Sequence, residues 1–82
     1  SAGETKYDNL GRPAESYNEY GQLTSRNSYS SQGFIQETQN YGENGTYLGK
    51  MTYDQNGRVT AAYNHTGIKT ADYFYNANGF LA

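Results

Sequence analysis

Apolar and aromatic residues along this chain alternate with polar ones over stretches of six to eight residues, and short turn-forming clusters separate the stretches. The clusters share one frame, a Tyr followed four residues later by a Gly. It recurs at Tyr7/Gly11, Tyr17/Gly21, Tyr29/Gly33, Tyr41/Gly45, Tyr53/Gly57, Tyr63/Gly67 and Tyr75/Gly79. In Tyr53-Asp54-Gln55-Asn56-Gly57-Arg58-Val59, Asp54 suits the first position of a type I turn. Gly57 suits the left-handed residue that closes a three-residue loop with a bulge. That register faces Asp54 with Arg58 and Tyr53 with Val59. The other Tyr residues then face Pro13, Leu23, Ile35, Tyr47, Lys69 and Leu81, so six of seven partners are apolar or aromatic, as one semi-buried face requires.

The frame predicts strands at 12–17, 22–29, 34–41, 46–53, 58–63 and 68–75, with partial ones at 3–7 and 80–82. Connections this short force neighbours to pair antiparallel. The expected fold is all-β, an antiparallel meander of repeated hairpins in one domain spanning 1–82. It forms a single twisted sheet or a piece of a β-spiral, with a small closed barrel as the alternative. Period-two alternation places Tyr29, Asn27, Ser25 and Leu23 on one face. Tyr53, Met51, Gly49 and Tyr47 join them, as do Tyr63, Ala61 and Val59, and Tyr75, Tyr73, Ala71 and Lys69. Pro13 cannot donate to a ladder, so its strand starts there or lies near an edge.

A longer repeat overlies the short one. Residues 6–36 align without gaps on 52–82, with 11 identities, and this reads as an internal duplication. Turn chemistry accounts for pairs such as Asp8/Asp54, Asn18/Asn64 and Gly21/Gly67. It does not demand Arg12/Arg58 or Thr24/Thr70.

Composition bounds the function. The six Lys and Arg are scattered and the net charge is −2, so neither nucleic acid nor an anionic membrane is an expected partner. Leu, Ile, Val and Phe number only ten, few for an aliphatic core, and the ten Tyr can take their place as the buried payload. Apolar runs are too short for membrane insertion. Without Cys there is no disulfide framework, redox motif or thiolate metal site. A chain starting at Ser1 is expected to be processed or excised. The richness in Tyr, Asn, Gly, Ser and Thr leans toward an exported bacterial protein located extracellularly, in the periplasm or at the cell surface.

The stretch YDQNGRVTAAYNHTGIKTADYFYNANGFL, from Tyr53 to Leu81, resembles the YD repeats of the bacterial RHS family. So does Tyr7 to Ile35, through YDNLGR, YNEYG and YSSQGF. The family pattern is met at Tyr53, Asp54, Gly57, Arg58, Val59 and Thr60. It departs at Pro13-Ala14, and residues 37–52 keep only the Tyr and Gly frame. The resemblance implies stacked antiparallel hairpins, which large members wind into a hollow shell around a cargo or toxin domain. Eighty-two residues are too few for such a shell. Ala71-Asp72-Tyr73-Phe74-Tyr75 through Gly79 is more faintly similar to choline- or glucan-binding wall repeats, although Trp is missing. Gly49-Lys50-Met51-Thr52-Tyr53 with Gly57 is similar to part of a MORN repeat.

Candidate chemistry is sparse. His65 has no His or Cys partner for a metal and reads as an exposed turn residue. Asp8 and Asp54 could form a glycosidase-like carboxylate pair, but each already has a turn role and a facing Arg. The Gly-rich corners precede no helix, so they are not phosphate loops. Asn44-Gly45-Thr46 and Asn64-His65-Thr66 fit the glycosylation sequon and equally fit turns. No enzyme, cofactor or metal site is expected. The Tyr ladder leaves two readings. In one, Tyr47, Tyr53, Tyr63, Tyr73 and Tyr75 line a binding face, for a protein or a polysaccharide. In the other these rings are the core. The expected function is a non-enzymatic structural or interaction module that self-associates or packs on neighbouring repeats, with carbohydrate binding as the alternative.

Overall fold

The computed structural model describes residues 3–78. Seven strands form one sheet in chain order: β1 (Glu4–Tyr7), β2 (Pro13–Tyr17), β3 (Leu23–Tyr29), β4 (Ile35–Tyr41), β5 (Tyr47–Tyr53), β6 (Val59–Asn64) and β7 (Lys69–Asp72). Every neighbouring pair is antiparallel, and β1 and β7 are the two edges, so the sheet is an open meander and not a barrel. The expected partial strand 80–82 and the corner residue Gly79 lie outside the described residues. The expected strand 68–75 is regular only to Asp72. Beyond it Tyr73 N–H still donates to the Thr60 carbonyl at 2.9 Å.

The turn chemistry produces each corner. At 54–58, Asp54 N–H donates to the Arg58 carbonyl at 2.9 Å, and Gly57 N–H donates to the Asp54 carbonyl at 3.0 Å. Gly57 has φ 79°, the left-handed conformation that a β-branched side chain resists. The same two backbone bonds close all six described corners, with Gly11, Gly21, Gly33, Gly45 and Gly67 in the place of Gly57. All six lie in the left-handed region, with φ between 78° and 93°. The predicted first pairs also form: Tyr7 with Pro13, Tyr17 with Leu23, Tyr29 with Ile35, Tyr41 with Tyr47, Tyr53 with Val59, and Tyr63 with Lys69.

One pair further from each corner, the register departs from the predicted one. Thr52 pairs with Ala61, so Thr60 is an extra residue, a second bulge beyond the glycine one. Ala14, Thr24, Gln36, Leu48 and Thr70 are the corresponding extra residues of the other hairpins. Thr hydroxyls suit this site because they bond locally where the ladder is interrupted. Thr24 donates to the Ser16 carbonyl at 3.0 Å, Thr70 to the Ala62 carbonyl at 3.3 Å, and Thr60 shares a 2.8 Å bond with Thr52. The Thr24/Thr70 identity therefore has a structural cause.

Each extra residue reverses the side-chain sense once per strand, and this corrects the expected faces. Strand partners directly opposite each other share a face. One row across the sheet is Lys6, Glu15, Arg26, Gln39, Lys50, Tyr63 and Lys69; the adjacent row is Asn27, Thr38, Met51, Ala62 and Ala71. Leu23, Tyr47, Val59 and Lys69, which precede the bulges, therefore leave the faces that period-two alternation gave them. The eight charged residues within the strands (Glu4, Lys6, Glu15, Arg26, Glu37, Lys50, Lys69 and Asp72) all fall on one face. The opposite face carries only uncharged strand residues. We call these the charged face and the neutral face.

The described residues place no second layer on either face. Among the described residues Ala61 is the one buried hydrophobic residue and Thr38 the one buried polar one. Leu10, Tyr20, Phe34, Leu48, Ile68 and Phe74 are largely exposed. The cohesion of this sheet is therefore carried by backbone ladders and half-buried Tyr rings.

Candidate functional site

The Tyr residues of the corners alternate between faces because successive corners lie at opposite ends of the sheet. Tyr29 and Tyr53 belong to the neutral face, Tyr17, Tyr41, Tyr47 and Tyr63 to the charged face. The five candidate binding residues are thus not brought together on one surface. Tyr47 and Tyr63 are on the charged face, Tyr53 is on the neutral one, and Tyr73 follows the edge strand. Tyr75 repeats the contacts of Tyr29.

Those contacts define a recurring cluster. Asp54 Oδ1 accepts from the backbone N–H groups of Asn56 at 2.8 Å and Arg58 at 3.0 Å, and Oδ2 accepts from Arg58 Nε at 2.9 Å. Held this way, the Arg58 guanidinium lies over the Tyr75 ring at 4.5 Å, and the Tyr75 hydroxyl donates to the Val59 carbonyl at 2.6 Å. Forty-six residues earlier, Asp8 binds Arg12 at 2.8 Å, Arg12 lies over Tyr29 at 4.2 Å, and the Tyr29 hydroxyl donates to the Pro13 carbonyl at 2.7 Å. The Arg12/Arg58 identity is explained: each Arg links its own turn to the Tyr of the next strand but one. The carboxyls of Asp8 and Asp54 lie below the usual range, chiefly because the backbone N–H of Arg12 or Arg58 stabilises the anion. These two carboxylates are occupied, and they sit in different corners. His65 is exposed in the 64–68 corner.

The predicted turn glycines differ in what surrounds them. Around Gly11, Gly21, Gly45, Gly57 and Gly67 a Cβ would meet nothing within 4 Å. At Gly33 it would lie 3.9 Å from Arg12 Nη1, because the guanidinium stacked on Tyr29 reaches the next corner along that end. Gly33 thus borders the Asp8–Arg12–Tyr29 cluster, whereas Gly67 stands in open space.

On the neutral face a hydrogen-bonded chain crosses four strands. The Tyr53 hydroxyl donates to Thr38 Oγ1 at 2.9 Å, Thr38 donates to Asn27 Oδ1 at 2.8 Å, and Asn27 Nδ2 donates to the Pro13 carbonyl at 3.1 Å. The charged face is built from ion pairs instead, Glu15 with Arg26 at 3.1 Å and Glu37 with Lys50 at 3.5 Å. Lys50 also lies over the Tyr63 ring at 5.3 Å, and the Tyr41 and Tyr47 rings meet at 5.5 Å. The Tyr17 hydroxyl, donating at 2.7 Å, holds the Glu15 carboxyl below its ordinary range, and Glu15 in turn raises the Tyr17 phenol. Asp72, bonded at 3.1 Å, raises the Lys69 ammonium.

Two residues outside the predicted set matter. Gly49 has φ 127°, and a Cβ there would run into the Tyr63 carbonyl oxygen; a Cβ at Gly3, forty-six residues earlier, would meet the Tyr17 carbonyl oxygen in the same way. The pair lies just outside the aligned 6–36 block. Tyr20 stands outside the Tyr-to-Gly frame and is highly exposed beside an open groove of about 670 Å³. That groove lies between corners 18–22 and 42–46 and is lined by Asn18, Tyr20, Gln22, Tyr41, Glu43 and Asn44. An aromatic residue immediately before a corner Gly was its only sequence signal. Compared with models of known protein families and with curated proteins, the chain finds no match among either.

Proposed function

We propose that this chain is a non-enzymatic interaction module, a run of hairpin repeats that packs against its own kind, either a second copy or neighbouring repeats of a longer protein. The observation that carries this reading is the single-layer sheet, in which Ala61 is the one buried hydrophobic residue among those described. A sheet acquires a dry core only against a second layer. The YD-repeat resemblance of YDNLGR and YDQNGRVT supports the same reading, and with it an exported or surface-located bacterial protein. The polar contacts of Asp8 and Asp54 support a structural role for both, so no turnover is expected to depend on them or on His65. Light scattering with sedimentation is the test. Association with increasing concentration is expected, and a compact monomer throughout would remove the self-association reading.

A second reading is carbohydrate binding, favoured by the groove beside Tyr20. An exposed ring there is flanked by amides and a carboxylate, the groups that stack on a sugar and bond its hydroxyls. A glycan array run on the wild type and Tyr20→Ala separates the two. Binding lost in Tyr20→Ala supports the second reading, and an array without binding ends it.

A further inference from the structure

Resting on the self-association reading, we propose that the neutral face, and not the charged face or the edges, is the surface on which a second copy of this chain packs, neutral face to neutral face. Three observations lead there. The first is charge. A face-to-face contact through the charged side would desolvate Glu15, Arg26, Glu37 and Lys50, whose pairs are part-exposed, and that cost commonly exceeds the attraction regained. No strand residue on the neutral side bears a charge, and the charged pairs that reach it, Asp8–Arg12 and Asp54–Arg58, stand at turns along one end, over Tyr29 and Tyr75, so the middle of this face can be covered without that cost.

The second is polar satisfaction. A polar face is covered at less cost where its larger donors and acceptors have partners already. On the neutral side the Tyr29 hydroxyl is bonded to the Pro13 carbonyl and the Tyr53 hydroxyl to Thr38, which continues through Asn27 back to Pro13. The Tyr75 hydroxyl is likewise bonded, to the Val59 carbonyl. Because these phenols donate within the fold, the face is poorly equipped for sugar hydroxyls and suited to a protein layer. Met51, Ala62 and Ala71 form an apolar row next to the Tyr rings, low enough for a facing sheet to approach.

The third is size. The sheet measures 43 by 30 Å in its two longer extents. That outline exceeds the roughly 800 Å² per partner that a standard stable interface buries. The edges are less suited. β7 carries the Thr70 bulge and the Lys69–Asp72 ion pair, and β1 has only four residues with Lys6 in its middle, features that discourage strand addition.

Sedimentation equilibrium of the wild type, Ser25→Lys, Ala71→Lys and Ser28→Lys tests the proposal. Ser25 and Ala71 are on the neutral face and Ser28 on the charged face. The expected result is a dimer for the wild type and Ser28→Lys, with association weakened ~100-fold in Ser25→Lys and Ala71→Lys, since each buries an unpaired ammonium. Because the chain has no Cys, a spin label at Ser25→Cys or Ser28→Cys gives a second measurement that does not depend on the Lys variants folding. Immobilisation and intermolecular coupling are expected at position 25 and free motion at position 28. Dimers that persist in both neutral-face variants, or a label that stays mobile at position 25 in a dimer, overturn the choice of face while leaving self-association standing. A wild type that stays monomeric ends both.

Discussion

The two ends of the sheet use one turn frame and secure it differently. At the end holding corners 8–12, 30–34 and 54–58, two of the three corners have an Asp–Arg ion pair with a Tyr from a neighbouring strand stacked on the Arg. At the other end, corners 18–22 and 64–68 are capped by neutral amides. Asn18 Oδ1 accepts the N–H groups of Tyr20 and Gln22, and Asn64 Oδ1 those of Thr66 and Ile68. Corner 42–46 begins with Gly42 and has backbone bonds alone. At this second end, moreover, a Cβ at Gly3 or Gly49 would run into the carbonyl oxygen opposite it. The shared hydrogen bonds show that the Tyr-to-Gly spacing specifies a backbone shape. What each corner is attached to depends on side chains further along the chain.

The sharpest way to break this contrast is at the close approach. Gly49→Ala should cost roughly 3 kcal/mol or more, because the new Cβ meets a backbone carbonyl and the φ of 127° is unsuited to an L side chain. Gly45→Ala, where a Cβ meets nothing within 4 Å, is the comparator. It should cost about 1 kcal/mol, from the left-handed φ alone. Chemical denaturation of the two side by side checks this, and equal losses would remove the close approach as a determinant.

Gly57→Val tests the frame shared by both ends. A loss of roughly 1 kcal/mol or more is expected from the β-branched residue in the left-handed region. Gly11→Val should behave alike, and denaturation midpoints unchanged in both would eliminate the bulged-turn geometry.

A smaller effect separates the ends themselves. Arg58→Gln removes the guanidinium from the Tyr75 ring, and a loss of about 0.5–1 kcal/mol is expected from the stacking. Gln22→Ala at the opposite end removes only the amide that accepts from Asn18 Nδ2, with no aromatic stacked on it. It should lose less, and a larger loss there than in Arg58→Gln would reverse the comparison.

The smallest effect concerns pH. Asp8 and Asp54 titrate below their ordinary 3.8, so their folded-state pKa values are depressed relative to the unfolded chain. Their contribution is present above about pH 4 and is lost as pH falls through the depressed values. Asn18 and Asn64 do not titrate. Amide protection factors should therefore fall in acid at Arg12 and Arg58 before Gln22 and Ile68, and Asp54→Asn should flatten the acid response at Arg58. Simultaneous loosening at both ends would contradict the assignment.

Much of this architecture was legible in the chain. The Tyr-to-Gly spacing identified each described corner, the left-handed glycines and the first pair beyond each turn, because these follow from interactions within about seven residues. The approach of Arg12 to Gly33 was not part of that local pattern, since it comes from a different corner. The face of each Tyr was not legible either. One extra residue per strand, at Ala14, Thr24, Gln36, Leu48, Thr60 or Thr70, turned the expected common Tyr face into two. Period-two reading cannot detect such a bulge, because nothing local marks Gln36 or Leu48 as unpaired. Thr24 and Thr70 did leave a trace, as identities that turn chemistry left unexplained. Arg12 and Arg58 left another, resolved only once Tyr29 and Tyr75 lay on them.

The chain by itself therefore determined the fold class, the antiparallel order of its strands and the corner geometry, all consequences of local backbone preference and short connections. Tertiary structure alone decided that the charged strand residues share one face, that the phenols of Tyr29, Tyr53 and Tyr75 donate to atoms within the fold, and that Gly49 must lack a side chain. Each of these depends on which residue lies opposite on the neighbouring strand. A shift of one position there exchanges the faces while leaving the sequence pattern within each strand unchanged.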